Sequence, residues 1–403
     1  MSGVVIATLN AGSSSVKLAA YRFEANDKLG LPLLRANLSG LPDAPTLSAK
    51  SEEPEIGTRF LAAADVSSLD LNLLAPRLLD AIEKAIRAPV DALGHRIVQG
   101  GPGIMDTRLA IPDLLAYLDS LCPLAPDHQP HNLRAVRAVA ASRPGLLQTL
   151  SFDTAFHRTQ PRLAQLYAIP RALSDAGLIR YGYHGLSYAN IARRLPDLFP
   201  DRPHRRTLAL HLGSGASLCA ILEGRSIASS MGFSAISGIP MSTRSGDVDP
   251  GAILYLLSEK QMSPEQISLM LRKQSGLLGV SGLSADLRTV EASTTPESEE
   301  AINLFIYRIV RECGSLIAAL GGLDALVFTA GIGENSPRVR AGVAKGLAWA
   351  GVVLNAEANQ TGASILSPPD SPIGVVVVPA DEEWEIARGS LSVYETAGTH
   401  RST

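Results

Sequence analysis

The feature that most constrains the fold is a resemblance between the two halves of the chain. The segment LNAGSSSVKLAA resembles LHLGSGASLCAI about half the chain further on, with Asn10 set against His211 and Gly12 against Gly213. Each copy contains an apolar run, a turn of small residues and a second apolar run, which predicts a β-hairpin. Because self-similarity at a fixed offset indicates repeated structural units, the pattern favours a duplicated domain over a chance match.

Apolar runs alternate with helical patterns along the rest of the chain. Buried strands are predicted at Val4–Leu9, Thr207–Leu212, Ala325–Thr329 and Val375–Val378. The 3.6-residue period predicts helices at Leu71–Arg87, Asn132–Ala141 and Ala301–Leu320. This alternation predicts an α/β protein with mixed or parallel sheets.

Composition excludes several classes of function. The chain has 46% hydrophobic and 19% charged residues, as ordinary globular proteins do, and its net charge of −3 argues against a broad nucleic-acid surface. The three cysteines are far apart and form no CxxC pair, which favours a reducing compartment without a zinc site. The start lacks a signal-peptide pattern, and no stretch approaches the ~20 apolar residues of a membrane span. We expect a cytoplasmic protein.

Three turns rich in glycine and serine follow predicted strands. They occur in NAGSSSVK, in HLGSGAS and, after the strand ALVFTA, in GIGENSP. Small residues let backbone N–H groups approach an anion, although such turns also simply connect strands. Neither GxGxxG nor GxxxxGK[ST] occurs. Three such turns without these motifs favour a nucleotide cleft of the actin or hexokinase type.

Charged and imidazole side chains beside glycines indicate phosphoryl transfer. This reaction needs positive charge around the phosphoryl oxygens more than covalent help. Arg96 and Arg244 offer planar bidentate donors, and His128 and His184 offer shorter ones. Taken alone, each of these residues could equally be a histidine packed in the core or an arginine in an ion pair within a turn. Because several of them occur at strand ends, they favour a functional site.

Magnesium and nucleotide phosphates have candidate ligands in the same stretches. Mg²⁺ takes one or two carboxylates together with phosphate and water, which Asp153 and Glu382 could provide with help from Asn10. Lys17 is suited to act as a point charge on the nucleotide phosphates.

The ordered motifs resemble those of the acetate kinase family, the acetate and propionate kinases of the superfamily that contains sugar kinases, actin and heat-shock chaperones. The resemblance covers almost the whole chain: NAGSSSVK, GHR, FDTAFH, RYGYHG, HLGSGAS, SMGF, TRSGDVDPG, FTAGIGENS and EEWEIAR. It implies two duplicated actin/hexokinase-like (ribonuclease H-like) domains with an interdomain nucleotide cleft. The expected N-terminal acyl kinase domain spans 1–152 plus 387–403, and the nucleotide-binding and dimerisation domain spans 153–386.

The resemblance also implies a reaction and a set of site residues. The expected enzyme transfers the γ-phosphoryl group of ATP to acetate, reversibly and with Mg²⁺ or Mn²⁺, and forms a homodimer. Asn10 and Glu382 would hold the metal, Lys17 would contact ATP, and Arg96 would bind the carboxylate. The implied catalytic residues are Asp153, His184, Arg244 and His128. The implied nucleotide site comprises His211, Leu212, Gly213, Ser214, Gly215, Asp286, Leu287, Arg288, Gly331, Ile332, Gly333, Glu334 and Asn335.

One implied role needs qualification on chemical grounds. A carboxylic acid with a pKa of ~4–5 is already ionised at pH 7, so its oxygen attacks phosphorus without a general base. We therefore expect Asp153 to organise the metal and its waters rather than to remove a proton.

Several positions depart from the family pattern. They are Gln99, Asp127, Gln129, Tyr188, Ser214 and Ala235. The expected acyl pocket, formed by Val98, Asp127, Tyr183 and Ala235, is more polar than an apolar slot for a methyl group. Either Asp127 points to solvent and acetate remains the substrate, or the pocket takes a longer or hydroxylated acid.

Two further alternatives stay open at this point. One is a hydrolase of the exopolyphosphatase type on the same fold. The other is a gated ATPase similar to actin or the heat-shock chaperones, although such a protein would not need Arg96, His128, His184 and Arg244 around one cleft.

Overall fold

The protein consists of two compact units. The computed structural model describes residues 3–12, 15–24, 27–41, 43–200 and 202–399. The first unit comprises Met1–Ala155 and Asp381–Thr403, and the second comprises Phe156–Ala380. These limits differ by a few residues from the predicted domain boundaries, and the roles predicted for the two domains stay predictions. Within the described ranges, no helix is long and apolar enough to span a bilayer.

The first unit is built on a seven-stranded mixed sheet. Its strands are β1 (Val4–Ala11), β2 (Ser15–Glu24), β3 (Asp27–Ser39), β4 (Thr46–Lys50), β5 (Ala92–Ile97), β6 (Arg108–Leu109) and β7 (Leu147–Phe152). Their order is β4-β3-β2-β1-β5-β7-β6, with β5 parallel to both β1 and β7. The helices of this unit are α1 (Pro54–Ala63), α2 (Leu71–Ile86), α3 (Pro112–Ser120), α4 (Gln129–Ser142) and, from the C-terminal segment, α16 (Glu382–Thr399).

The second unit contains a five-stranded mixed sheet. Its strands are β8 (Arg206–Leu212), β9 (Ala216–Leu222), β10 (Arg225–Ser229), β11 (Ala325–Thr329) and β12 (Gly374–Val377), in the order β10-β9-β8-β11-β12. Its helices are α5 (Arg162–Gln165), α6 (Arg171–Asp175), α7 (Gly185–Leu198), α8 (Pro250–Ser258), α9 (Pro264–Lys273), α10 (Gly276–Ser281), α11 (Leu287–Ala292), α12 (Pro296–Leu320), α13 (Ala330–Asn335), α14 (Pro337–Gly346) and α15 (Ala356–Thr361).

The two sheets repeat one topology. Strands β3-β2-β1-β5-β7 and strands β10-β9-β8-β11-β12 have the same order, with antiparallel pairs on one side of the first strand and parallel pairs on the other. Strands β1, β8 and β11 are buried over almost their whole length, as expected for strands covered on both faces. The predicted duplicated α/β fold with mixed sheets is confirmed.

Both predicted hairpins form at equivalent places. In the first, β1 pairs with β2 up to Ala11 opposite Val16, and in the second, β8 pairs with β9 up to Leu212 opposite Ala216. Gly12 N–H donates to the carbonyl of Ser15 at 2.8 Å. Residues 13 and 14, which belong to the first predicted phosphate turn, lie outside the described residues.

The third glycine-rich segment differs from the prediction. Residues 330–335 form the short helix α13 instead of a turn, because Ala330 adopts a left-handed backbone conformation (φ +64°) that lets the chain leave β11 directly into a helix. The predicted Ser-Pro helix start is confirmed. Ser336 accepts a hydrogen bond from the Val339 N–H at the beginning of α14, and Pro337 occupies its first turn.

Candidate active site

Four predicted site residues of the first unit form one hydrogen-bonded cluster. Arg96, near the end of β5, donates from Nε to Asp153 Oδ1 at 2.8 Å and from Nη2 to Asp153 Oδ2 at 2.5 Å. Its Nη1 donates to Asn10 Oδ1 at 3.2 Å, and Asn10 Nδ2 donates to Glu382 Oε2 at 3.3 Å. The parallel pairing of β1, β5 and β7 explains this gathering, because the carboxyl ends of parallel strands meet at one edge of the sheet.

Burial makes this cluster electrostatically strong. Asp153 is 1% exposed, and burial raises the pKa of its carboxyl although the Arg96 guanidinium opposes that shift. Burial alone would lower the pKa of Arg96, but the carboxylates of Asp153 and Glu382 outweigh that effect and raise it. The Asp153 carboxyl therefore holds Arg96 through two parallel hydrogen bonds, one to each of its oxygens.

The oxygen atoms of this cluster are suitable ligands for Mg²⁺. Asp153 and Glu382 supply carboxylate oxygens, and Asn10 supplies an amide oxygen, which are the hard ligands that Mg²⁺ prefers. Across the described ranges, no group of three or more His, Cys, Asp or Glu side chains is placed to hold a metal ion. Mg²⁺ does not need one, since it usually binds one or two carboxylates and keeps several waters.

Lys17 lies on the same face of the sheet as this cluster. It stands directly opposite Asn10 in the β1–β2 hairpin, and its side chain is exposed. A cavity of about 290 Å³ is lined by Lys17, Arg35, Asn37 and Glu383, among others. Burial raises the pKa of the Glu383 carboxyl, and the positive charge of Lys17 opposes that shift.

The loop that carries His128 is fastened by two glutamines that depart from the family pattern. Gln99 and Gln129 are fully buried. The Gln99 N–H donates to Gln129 Oε1 at 3.0 Å, and Gln129 Nε2 donates to the Gln99 carbonyl at 2.9 Å. The Gln129 side chain therefore holds the backbone that follows β5 to the start of α4. Asp127 and His128 beside it are only partly buried.

Asn132 joins two parts of the first-unit site. Its Nδ2 donates to the carbonyl of Ala11, at the end of β1, at 2.6 Å. Its Oδ1 accepts from the N–H of Val98, just after β5, at 3.1 Å. The predicted substrate residue Val98 is itself buried. Asn132 thus fixes the first hairpin relative to the segment that follows Arg96.

In the second unit, His184 and His211 stack on each other. Their ring centroids are 4.1 Å apart, with planes inclined by 15°. His184 Nδ1 lies 2.8 Å from Ser217 Oγ, and His211 Nδ1 lies 2.9 Å from Ser187 Oγ. His184 adopts a left-handed conformation (φ +60°) just before α7. This conformation is uncommon outside glycine and is often found at functional sites.

The second hairpin turn contacts the same histidine. A Cβ placed on Gly215 would lie 3.2 Å from His184 Nε2 and 3.6 Å from Arg244 Nη1. The carbonyl of Ser214 accepts a hydrogen bond from the N–H of Ser242 at 3.2 Å. The structure therefore brings His184, Arg244 and the predicted phosphate turn together, and glycine at 215 leaves room for both side chains.

The predicted acyl-pocket residues of this unit lie close to Arg244. Arg244 Nη1 donates to the carbonyl of Ala235 at 3.0 Å, and the Tyr183 hydroxyl donates to the carbonyl of Phe233 at 2.8 Å. Tyr183 is almost fully buried. Its ring, with its hydroxyl engaged, supports the segment that contains Ala235.

The remaining predicted nucleotide residues occupy two helix starts. Asp286 precedes α11 and accepts from the Arg288 N–H at 2.9 Å and from its guanidinium at 2.6 Å. The other segment is α13, where Asn335 Nδ2 donates to the Gly331 carbonyl at 2.9 Å and Glu334 Oε1 accepts from the Ala380 N–H at 3.0 Å. Arg288 is exposed.

Sequence reasoning missed four residues that support these clusters. They are Asn132, Ser187, Tyr188 and Ser217. Tyr188 departs from the family motif and Ser217 ends the motif HLGSGAS, but their contact with each other requires a strand and a helix to meet.

The chain is similar to known proteins over almost its whole length. The model of the Acetokinase family matches residues 5–388. A protein of Nitrobacter hamburgensis named acetate kinase is 44% identical over 96% of both chains. The crystal structure of Porphyromonas gingivalis acetate kinase aligns with a TM-score of 0.79 and 32% identity over 97% of this chain and 99% of that one. A propionate kinase from Francisella tularensis aligns with a TM-score of 0.82 and 29% identity over 96% and 99%. This chain therefore belongs to the acetokinase family and is a phosphotransferase with a carboxyl group as acceptor.

Proposed function

We propose that this protein is an acetate kinase that transfers the γ-phosphoryl group of ATP directly to the carboxylate of acetate and also accepts propionate. The products are acetyl phosphate and ADP, and the reaction is reversible. Family membership supports the reaction class. The observation that carries the proposal is the Arg96–Asp153 pair joined to Asn10 and Glu382, because it combines a fixed guanidinium with oxygen ligands for a metal.

The main obstacle to this reaction is repulsion between two anions. The substrate carboxylate is ionised at neutral pH, and its oxygen attacks the γ-phosphorus in line with the departing β-phosphate oxygen. Arg96 binds the carboxylate, while Arg244 and His184 donate to the oxygens of the transferring group. These fixed charges act without reorganising during the reaction, which is how preorganised sites lower such barriers.

Asp153 orients Arg96 in this mechanism. Both of its oxygens accept from the Arg96 guanidinium, so the fork is fixed in its plane. Since the acceptor is already deprotonated, Asp153 removes no proton. Through Arg96 it is connected to Asn10 and Glu382, the proposed metal ligands, in one hydrogen-bonded cluster.

The nucleotide and the metal are assigned by family resemblance and by the chemistry of the donors. Asn10 and Glu382 would hold Mg²⁺ with help from Asp153, and Mn²⁺ could replace it. When bound, the ion neutralises charge on the phosphate oxygens. Lys17 would contact the phosphates. Residues 211–215, 286–288 and 331–335 of the second unit would bind ATP, and the first unit would bind the acid.

We also propose a homodimer that uses helix α8. This helix has the apolar sequence PGAILYLLS, yet none of its residues is buried. Leu254 is 65% exposed and Tyr255 is 50% exposed. An apolar helix on which no side chain is fully buried indicates a protein interface, and in this family a second copy is the expected partner.

Light scattering after gel filtration tests the dimer. Leu254→Glu should convert the dimer to a monomer. Leu163→Glu is the matched control, since Leu163 is 87% exposed on another helix and its replacement should leave the dimer intact. A wild-type monomer at micromolar concentration would contradict the proposal.

Trapping of acyl phosphate by hydroxylamine tests the reaction. Purified protein with MgATP should give hydroxamate from acetate and propionate, and less from butyrate and glycolate. Asp127→Leu should lower the KM for acetate if this partly buried carboxylate faces the acid, because a nearby negative charge repels it. An unchanged KM would show that Asp127 points away. ATP hydrolysis without hydroxamate from any acid would contradict the kinase assignment.

A further inference from the structure

Two buried hydroxyls stand behind His184. Ser217 on β9 and Tyr188 on α7 are both fully buried. The Tyr188 hydroxyl lies 2.6 Å from Ser217 Oγ, and Ser217 Oγ lies 2.8 Å from His184 Nδ1. The three groups form a linear chain of hydrogen bonds that ends at the imidazole.

Counting the protons gives this chain a direction. Ser217 has a single hydroxyl proton, so it donates to only one of its two neighbours. If Ser217 donated to Tyr188, the Tyr188 proton would need another acceptor. Among the described residues, the other group facing this hydroxyl is the backbone N–H of His211, which is a donor. The arrangement that uses every proton runs from Tyr188 to Ser217 and from Ser217 to His184 Nδ1.

The Tyr188 hydroxyl keeps its proton under all ordinary conditions. Burial raises the pKa of Tyr188 well above its usual value, and the nearby Cys219 thiol acts in the same direction. A hydroxyl that stays protonated and has one acceptor is a fixed donor. It therefore determines which way the Ser217 proton points.

We propose that Tyr188 and Ser217 are positioning residues that hold His184 in its neutral form with the proton on Nε2. Since Nδ1 accepts from Ser217, the ring carries its own proton on the opposite nitrogen. This inference rests on the proposed function, because it specifies how His184 donates to the transferring phosphoryl group.

The surroundings of His184 agree with a neutral donor. Nε2 is directed at the second hairpin turn, 3.2 Å from the Cβ position of Gly215. The titratable and charged groups near the ring include His211, stacked at 4.1 Å, and Arg244, whose Nη1 lies 3.6 Å from the same Cβ position. A cationic His184 would be repelled by Arg244, whereas a neutral ring with Nε2–H still donates to a phosphate oxygen.

Nitrogen NMR of histidine-labelled protein tests the tautomer without turnover. The chain has eight histidines, and His184→Asn identifies the signal. The wild type should show a pyrrole-type Nε2 and a pyridine-type Nδ1 at neutral pH. Ser217→Ala should shift the two nitrogens toward averaged values. A wild-type His184 with its proton on Nδ1 would overturn the proposal, even if the protein proves to be no acetate kinase.

Steady-state kinetics separates positioning from a merely structural role. Loss of one such hydrogen bond should lower the kcat of Ser217→Ala about 10-fold, with KM values almost unchanged. Tyr188→Phe, which removes only one oxygen, should have a smaller effect in the same direction. Ser217→Thr retains the hydroxyl and should restore most of the activity and the wild-type tautomer. An unchanged kcat and tautomer in Ser217→Ala would overturn the proposal. If the wild type makes no acyl phosphate, the proposed function fails while the NMR result still decides the tautomer.

Discussion

The two hairpins at the centre of the two sheets have the same topology and different chemistry. In β1–β2, Asn10 stands opposite Lys17, and four residues separate the last pair, Ala11 and Val16. In β8–β9, His211 stands opposite Ser217, and the last pair is separated by only three residues. Because the second turn is one residue shorter, Ser217 lies opposite His211 in β9, at the position where the first hairpin has Lys17 opposite Asn10.

This difference in turn length gives two equivalent hairpins different side chains at the same position. The first hairpin presents an amide oxygen beside a metal-binding cluster and an exposed cation suited to phosphates. The second presents a hydroxyl that bonds to His184 in place of a cation. The fold fixes the position of both hairpins, and the length of each turn determines which side chain lies opposite Asn10 or His211.

The largest effect should come from disturbing the Arg96 fork of the first unit. Arg96→Lys keeps the positive charge but loses the bidentate pairing with Asp153. We expect kcat/KM for acetate to fall about 100-fold, the size of effect seen when one preorganised donor is removed. The hydroxamate assay with varied acetate measures it.

The chain offers a matched control for this substitution. Arg206 forms a comparable ion pair with Asp324 near the start of β8, in which Nε and Nη2 both donate to Oδ1, at 3.0 and 2.5 Å. Arg206→Lys should leave kcat/KM almost unchanged. Equal losses in both variants would show that the effect is one of folding, and the assignment of Arg96 would then be wrong.

A smaller effect should distinguish the two hairpin turns directly. A Cβ on Gly215 would crowd His184 Nε2 at 3.2 Å, whereas a Cβ on Gly12 would meet only the carbonyl of Ser15 at 3.3 Å among described residues. We expect Gly215→Ala to lower kcat about 10-fold by displacing His184 and Arg244. Gly12→Ala should leave kcat within a small factor. A larger loss of kcat in Gly12→Ala than in Gly215→Ala would contradict this difference between the two turns.

Each unit contains a fully buried histidine that makes its folding stability decrease at acidic pH. Burial lowers the pKa of His95 in the first unit and that of His157 in the second to about 4. Between that value and ~6.5, the unfolded chain binds protons that the folded chain does not, so stability falls as the pH decreases. The resulting loss is about 1.4 kcal/mol per pH unit for each histidine.

Chemical unfolding at pH 7 and pH 5 measures this loss. His157 is the more informative of the two, because its Nε2 donates to the carbonyl of Tyr183, the residue before His184, at 2.9 Å. His157→Gln should reduce the dependence of stability on pH. A dependence of stability on pH that is unchanged in His157→Gln would contradict the neutral state of this ring.

The sequence predicted the fold well because its evidence is local and repeated. The strands β8 and β11, the hairpins and the helix start at Ser336 follow from apolar runs, small-residue turns and a Ser-Pro pair. The glycine-rich segment at 331–335 was wrongly predicted as a turn. Nothing in its composition shows that Ala330 takes the left-handed conformation that starts a helix there.

The site residues at strand ends could be predicted from the sequence, whereas the residues that hold them in place through hydrogen bonds could not. Asn10, Arg96 and Asp153 converge because three parallel strands end together, which the alternation of strands and helices implies. Two kinds of hydrogen bond join elements far apart in sequence. One links the Gln129 side chain to the Gln99 backbone, and the other links the hydroxyls of Tyr188 and Ser217. Such pairs depend on packing, which a hydrophobic pattern does not specify.

The most direct test of the division between the two hairpins compares Lys17→Met with Ser217→Ala in one steady-state assay of acetyl phosphate formation. We expect Lys17→Met to raise the KM for MgATP about 10-fold with little change in kcat, since it removes a charge proposed to bind the phosphates. We expect Ser217→Ala to lower kcat about 10-fold with little change in KM. The same kinetic parameter changing in both variants would contradict the claim that equivalent hairpins perform different parts of the reaction.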